Sequence, residues 1–137
     1  MDCLFCRIIK KEIPAEIAYE DNAALAVMDI HPRSPGHVFM VPKAHAATLL
    51  DISDVDMGAL FSAVRNAAEL IKKALGPDGF TIGINHGRAG GQEVDHLHIH
   101  IMPRWADDGG GSVQGVVHAA QQESIAAIAE KIRAARE

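Results

Sequence analysis

His96-Leu97-His98-Ile99-His100-Ile101-Met102 alternates an imidazole with an aliphatic side chain. In an extended chain residues two apart share a face. The spacing therefore predicts a strand with Leu97, Ile99 and Ile101 turned into a core and His96, His98 and His100 turned the other way. The apolar side fixes the register. The three imidazoles are then expected in a row, about 6 to 7 Å apart. A strand buried on one face is the habit of an antiparallel sheet.

Upstream, Asn85-His86-Gly87-Arg88-Ala89-Gly90-Gly91-Gln92 reads as a glycine-rich loop between a strand over Phe80–Asn85 and a histidine strand over Val94–Met102. The longest helix is expected from an N-cap at Ser53, with Asp54 and Asp56 in its first turn. Leu60, Phe61, Val64, Ala67, Leu70, Ile71 and Leu75 follow at helical spacing, and Gly76-Pro77 closes it. His37–Val41 is a predicted strand stopped by Pro42, behind the loop Pro32-Arg33-Ser34-Pro35-Gly36. Ile17–Glu20 and Ala24–Asp29 form a hairpin about Asp21-Asn22, and Leu4–Glu12 is a helical segment ended by Pro14. Asp107–Gly111 reads as a flexible connector and Glu123–Arg136 as a short amphipathic helix. The order gives an α+β fold with a mostly antiparallel sheet, one long crossing helix and a short C-terminal helix, in a single domain over residues 1–137.

With 48% hydrophobic and 23% charged residues the chain is an ordinary globular composition, and its net charge of −5 carries no basic stripe for nucleic acid. A small phosphate ligand stays open, because backbone dipoles hold one without net positive charge. No apolar run is long enough to cross a bilayer, so no membrane partner is expected. The start, Met1-Asp2-Cys3-Leu4-Phe5-Cys6-Arg7, lacks the basic and apolar regions of a signal peptide. A cytoplasmic setting is therefore expected. There Cys3 and Cys6 read as metal ligands or thiols before they read as a disulfide.

A row of imidazoles repels itself when charged, so most of these must be neutral. One neutral nitrogen can attack while a neighbour orients it or carries a proton. Two chemistries suit that row: covalent catalysis at phosphorus with His98 attacking, or zinc ligation by the histidines. The glycine-rich loop directly ahead favours phosphorus, as a candidate phosphate cradle. His37 joins the row if its strand is the neighbour. Cys3-x-x-Cys6 supplies half of a tetrahedral zinc site.

The sequence resembles the histidine triad (HIT) family. The triad fits that family's alternating signature. Phe5-Cys6-Arg7-Ile8-Ile9, Glu12-Ile13-Pro14, Asp29-Ile30, Pro35-Gly36-His37, Pro42-Lys43-Ala44-His45 and Gly90-Gly91-Gln92 fall in the family's order. The resemblance implies a homodimeric α+β protein that cleaves purine nucleotides at the α-phosphate, through a nucleotidyl-His98 intermediate. His100 and His37 would flank the α-phosphate, and His96 would support the nucleophile from behind. Asn85, Gln92 and the backbone from Gly91 through Glu93 to Val94 would hold phosphate. Asp29 would accept the ribose hydroxyls, and Leu4, Phe5, Ile8, Val27 and Ile30 would form the base pocket. Relatives that carry zinc complete the Cys3/Cys6 pair with His45 and His96, giving one structural zinc per chain that clamps the N-terminal segment to the sheet. Glu93 stands where phosphoramidase relatives often carry Ser or Thr, which leaves the leaving group open between an amine and a nucleotide. The implied alternatives are a dinucleoside polyphosphate hydrolase and a nucleotide-binding signalling protein.

Overall fold

The computed structural model describes residues 3–136. Its helices are α1 (Leu4–Ile9), α2 (Asp54–Leu75) and α3 (Ile125–Ala134), and its strands are β1 (Ile17–Glu20), β2 (Ala24–Met28), β3 (Val38–Pro42), β4 (Gly79–Gly83) and β5 (Ile99–Arg104). The strands form one sheet in the order β1-β2-β3-β5-β4. Every neighbouring pair is antiparallel. The expected α+β architecture is the observed one. Among the described residues no helix is long and apolar enough to cross a membrane.

The sheet is covered on both faces. Ala24, Ala26, Val38, Met40, Leu97, Ile99 and Ile101 pack with Leu60, Ala63, Val64, Ala67 and Ile71 of α2. On the opposite face Leu25, Val27 and Val41 pack with Cys3, Phe5 and Ile8 at α1. Two-sided burial explains why β2 is an unbroken apolar run instead of an alternating one. Burial of these side chains is the main stabilising term of the fold.

The ends of α2 follow their sequence signals. The Ser53 side chain accepts the Asp56 N–H, and Gly76 takes the left-handed conformation at φ 64° while its N–H bonds the Lys72 carbonyl. The apolar set is broader than the buried face, however. Phe61, Leu70 and Leu75 lie half-exposed on its flanks.

Three expectations need correction. The histidine strand begins only at Ile99, and His96 sits in a bend before it. The His96 peptide is bent because Leu97 N–H bonds Ala46 O at 2.7 Å, pulling that segment off the sheet toward residues 45 and 46. Pro42 belongs to β3 and pairs with Ala24 instead of stopping the strand before it. Asp107–Gly111 is no loose connector: Arg104 makes a two-pronged pair with Asp108 at 2.6 and 3.0 Å and donates to Gly111 O at 2.6 Å. The C-terminal helix forms as expected, capped by Ser124, but none of its residues is buried.

Gly36 sets the entry to β3. It has φ +86°, and a Cβ there would stand 2.6 Å from Leu75 Cδ1 and 3.2 Å from Pro103 Cγ. Gly58, inside α2, has open space around it. Gly36→Ala is expected to cost about 1–3 kcal/mol of unfolding free energy through strain and crowding. Gly58→Ala is expected to raise stability by about 0.5–1 kcal/mol. Denaturant unfolding of both variants checks this, and equal effects would contradict the geometry.

Candidate active site

The face of the sheet under α1 carries the histidines. In β3, Phe39 pairs with His100 of β5. His37, two residues before Phe39, therefore lies beside His100, with His37 Nε2 3.0 Å from His100 Nδ1. The expectation that His37 joins the triad holds. The His98 and His100 ring centroids are 5.3 Å apart in a T-shaped contact. That is closer than the strand repeat, and His98 lies just before the start of β5.

Main-chain partners fix the tautomers, since a carbonyl accepts only from a protonated nitrogen and an amide donates only to a lone pair. His96 Nε2 donates to the Pro42 carbonyl at 2.9 Å, so its Nδ1 keeps a lone pair. His98 Nδ1 donates to the His96 carbonyl at 2.8 Å, which leaves Nε2 as the free base. Arg33 N–H donates to His37 Nδ1 at 3.1 Å, so the His37 proton is on Nε2 and points at His100 Nδ1. His100 is left with its proton on Nε2. A free base on His98 and a donor on His100 are thus carried by rings 5.3 Å apart.

Burial favours the neutral forms. It lowers His37 and His96 from the usual histidine value. Burial, then the His98 and His37 rings, lower His100 to about 4, against an opposing pull from Asp29. Phe5 and Phe39 close the site from behind. Phe5 stacks on Phe39 at 4.9 Å and meets the His98 ring edge-on at 5.0 Å. Phe39 also meets His98 at 5.9 Å and His100 at 6.4 Å. The sequence reading missed Phe39, although the period of two from His37 places it on this face.

Cys3 Sγ, Cys6 Sγ, His45 Nδ1 and His96 Nδ1 lie within 4.8 Å of one another. His96 Nδ1 is 3.4 and 3.5 Å from the two sulfurs, and His45 Nδ1 is 3.3 Å from Cys6 Sγ and 3.0 Å from His96 Nδ1. The donor set fits a cation. His96 presents a lone pair there, and burial followed by Cys3 raises the Cys6 thiol, a cost that ligation as thiolate offsets. Asp29, His37 and His100 also bring three ligand atoms together. They fit a cation poorly, because Arg33 N–H holds the His37 lone pair on the far nitrogen.

The other expected site residues divide. Asp29 has Oδ1 accepting the His31 N–H at 2.8 Å and Oδ2 3.4 Å from His37 Nε2, at the edge of the triad. Phe5, Ile8 and Val27 are buried in the second core, whereas Leu4 is half-exposed and Ile30 is 85% exposed. Gln92 is spent on the loop itself. Its amide donates to Ala47 O at 2.7 Å and Val94 O at 3.0 Å and accepts Gly87 N–H at 2.9 Å. The N–H groups of Gly90, Gly91 and Gln92 bond carbonyls within the same loop. Gly91 N–H and the Gln92 side chain, expected to hold phosphate, are thus engaged in bonds within the protein. Glu93 and Asn85 are exposed beside them, and Val94 packs against the second core.

Comparison with known proteins agrees with this geometry. A family model described as the HIT domain matches residues 10–107. An adenosine 5'-monophosphoramidase of Schizosaccharomyces pombe is 36% identical over 132 residues, 96% of each chain. An adenylylsulfatase of Arabidopsis thaliana is 42% identical over 103 residues, 75% of this chain and 52% of that protein. The crystal structure of a HIT family member from Bacillus subtilis superposes with a TM-score of 0.85 at 35% identity, covering 100% of this chain and 98% of the other. On the matched domain and the shared fold, the chain belongs to the HIT domain family.

Proposed function

We propose that this chain is a hydrolase that cleaves adenosine 5'-phosphoramidates, or closely related purine nucleotides, at the α-phosphorus. The carrying observation is the free base fixed on His98 Nε2, with the His100 ring and its Nε2 proton in T-shaped contact at 5.3 Å between centroids. Two relatives, named an adenosine 5'-monophosphoramidase and an adenylylsulfatase, support an adenylyl group as the transferred unit.

His98 Nε2 attacks phosphorus, and the bond from phosphorus to the leaving nitrogen breaks with its electron pair. The amine departs with a proton from solvent. The new P–Nε2 bond makes the His98 ring cationic, which strengthens its Nδ1–H bond to the His96 carbonyl. His100 Nε2–H stabilises charge on a non-bridging oxygen. Water then attacks phosphorus and gives up a proton to solvent, Nε2 leaves with its pair, and the nucleoside monophosphate is released. Asp29 is the acceptor for the ribose hydroxyls, and exposed Ile30 and Leu4 are the apolar surface for the base. The N–H groups of Glu93 and Val94 are the loop donors for phosphate. We assign zinc to the Cys3-Cys6-His45-His96 centre, since two thiolates and two imidazoles are its structural donor set. Bound there it would cross-link α1 to the sheet, with no open position for water.

We also propose a homodimer. Phe61 and Ile82, each more than 40% exposed, flank a shallow groove of about 410 Å³ between α2 and β4 that Val64, Ala68 and Phe80 line. β4 is a sheet edge beside it. A second copy pairing there would bury the groove and continue the sheet.

Brief incubation with adenosine phosphoramidate, rapid acid quench and intact-mass measurement is expected to show an adenylyl adduct on native protein and none on His98→Ala, with AMP accumulating. AMP formation that survives His98→Ala would sink the reading, and turnover of dinucleoside polyphosphates alone would transfer it to that substrate class. The depressed His37 and His100 values act on stability from the acid side. Each group lowered on folding contributes its full stability above about 6.5 and loses it as pH falls, for His100 toward about 4. Urea unfolding should therefore lose on the order of 2 kcal/mol across that window, with the loss reduced in His100→Asn. Light scattering should give twice the chain mass for native protein and a single chain mass for Phe61→Asp, and a native monomer would exclude the dimer.

A further inference from the structure

The metal-ligating centre and the nucleophile share one residue. His96 contributes Nδ1 to the Cys3-Cys6-His45 cluster, Nε2–H to Pro42 O, and its own carbonyl to His98 Nδ1–H. It is fully buried. A second connection runs through α1. Phe5 lies between the two cysteines in sequence and meets the His96 ring at 5.9 Å and the His98 ring at 5.0 Å. Without a cation, the two sulfurs and two ring nitrogens hold one another through weak thiol–imidazole contacts of 3.3 to 3.5 Å. Ligation would replace those contacts with stronger bonds and fix α1, His45 and His96 more firmly, whereas its loss leaves them freer to move. Movement of His96 rotates the peptide whose carbonyl fixes the His98 tautomer, and movement of α1 withdraws Phe5 from the His98 ring.

We propose that Cys3, Cys6 and His45 are positioning residues that act through His96, so that metal occupancy and nucleotide binding at His98 are energetically linked. The inference rests on the metal and nucleotide assignments above. It goes beyond a clasp, because a clasp would stabilise the fold without altering affinity at His98. The linkage is reciprocal: whatever factor nucleotide lends to metal affinity, metal lends to nucleotide affinity. Direct contact between the two ligands is excluded by the four protein donors around the cation position.

The test uses Co²⁺ as the probe metal and AMP as the probe nucleotide. Co²⁺ affinity is read from thiolate absorption in competition with a chelator, with and without saturating AMP. AMP affinity is read by calorimetry on metal-free and Co²⁺-loaded protein. Both are expected to tighten by the same factor, at least about fivefold. Independent affinities overturn the proposal. Absence of Co²⁺ binding overturns it at the metal assignment, and absence of AMP binding overturns it at the nucleotide assignment, so the three failures are separate. The exposed ligand supplies the kinetic arm. His45→Ala is expected to weaken AMP binding and raise KM by at least about fivefold, with any fall in kcat on top, and His45→Cys, which restores a donor, to recover both. A variant that lost only thermal stability would assign the centre a purely structural role.

Discussion

The hydrogen bond from His96 Nε2 to the Pro42 carbonyl is the constraint on which the rest of the site depends. It lies in the interior, where an unpaired imidazole nitrogen carries a full desolvation cost. Its direction decides the tautomer of His96, and so which nitrogen faces the sulfurs. The peptide it holds in place then presents the carbonyl that decides the tautomer of His98. One acceptor on β3 thereby orders two sites. Removing the His96 ring would take the partner from Pro42 O and from the Cys3 thiol at once, and would loosen the peptide whose carbonyl holds the His98 proton.

Alternation made the triad and its two faces legible, and the cores agree residue for residue: Leu97, Ile99 and Ile101 on one side, the imidazoles on the other. The α2 caps were equally plain, because Ser53 and Gly76 satisfy backbone groups that any helix leaves open. The bend at His96 was not legible. It follows from Leu97 N–H pairing with Ala46 O, a contact between segments about fifty residues apart that no local pattern encodes. The same holds for the glycine-rich loop. Its composition announces close backbone packing, but whether its amides face a ligand or one another depends on Gln92, whose side chain reaches back to Gly87 and across to Ala47.

Electrostatics divide the molecule into a charged exterior and a more buried histidine face. The acidic balance of the chain is carried on the surface. Lys11 and Lys43 pair with Glu20, and Arg88 with Asp95. Such exposed pairs contribute little to stability. Within the site burial lowers His37, His96 and His100, neighbouring rings add to it at His96 and His100, and Asp29 stands beside His37. An imidazole kept neutral is both a better base and a more tractable neighbour to an anionic phosphate, whose arrival supplies the counter-charge.

Cys3 and His96 lie 93 residues apart in sequence. During synthesis the two thiols leave the ribosome long before their imidazole partner, and at translation rates of roughly 5 to 20 residues per second the gap lasts about 5 to 20 s. The nascent chain must carry an open dithiol through that interval, able to oxidise or to take up metal with fewer protein ligands. Closure comes only when the triad emerges, so the last part of the sheet to be made completes both the site and its protection.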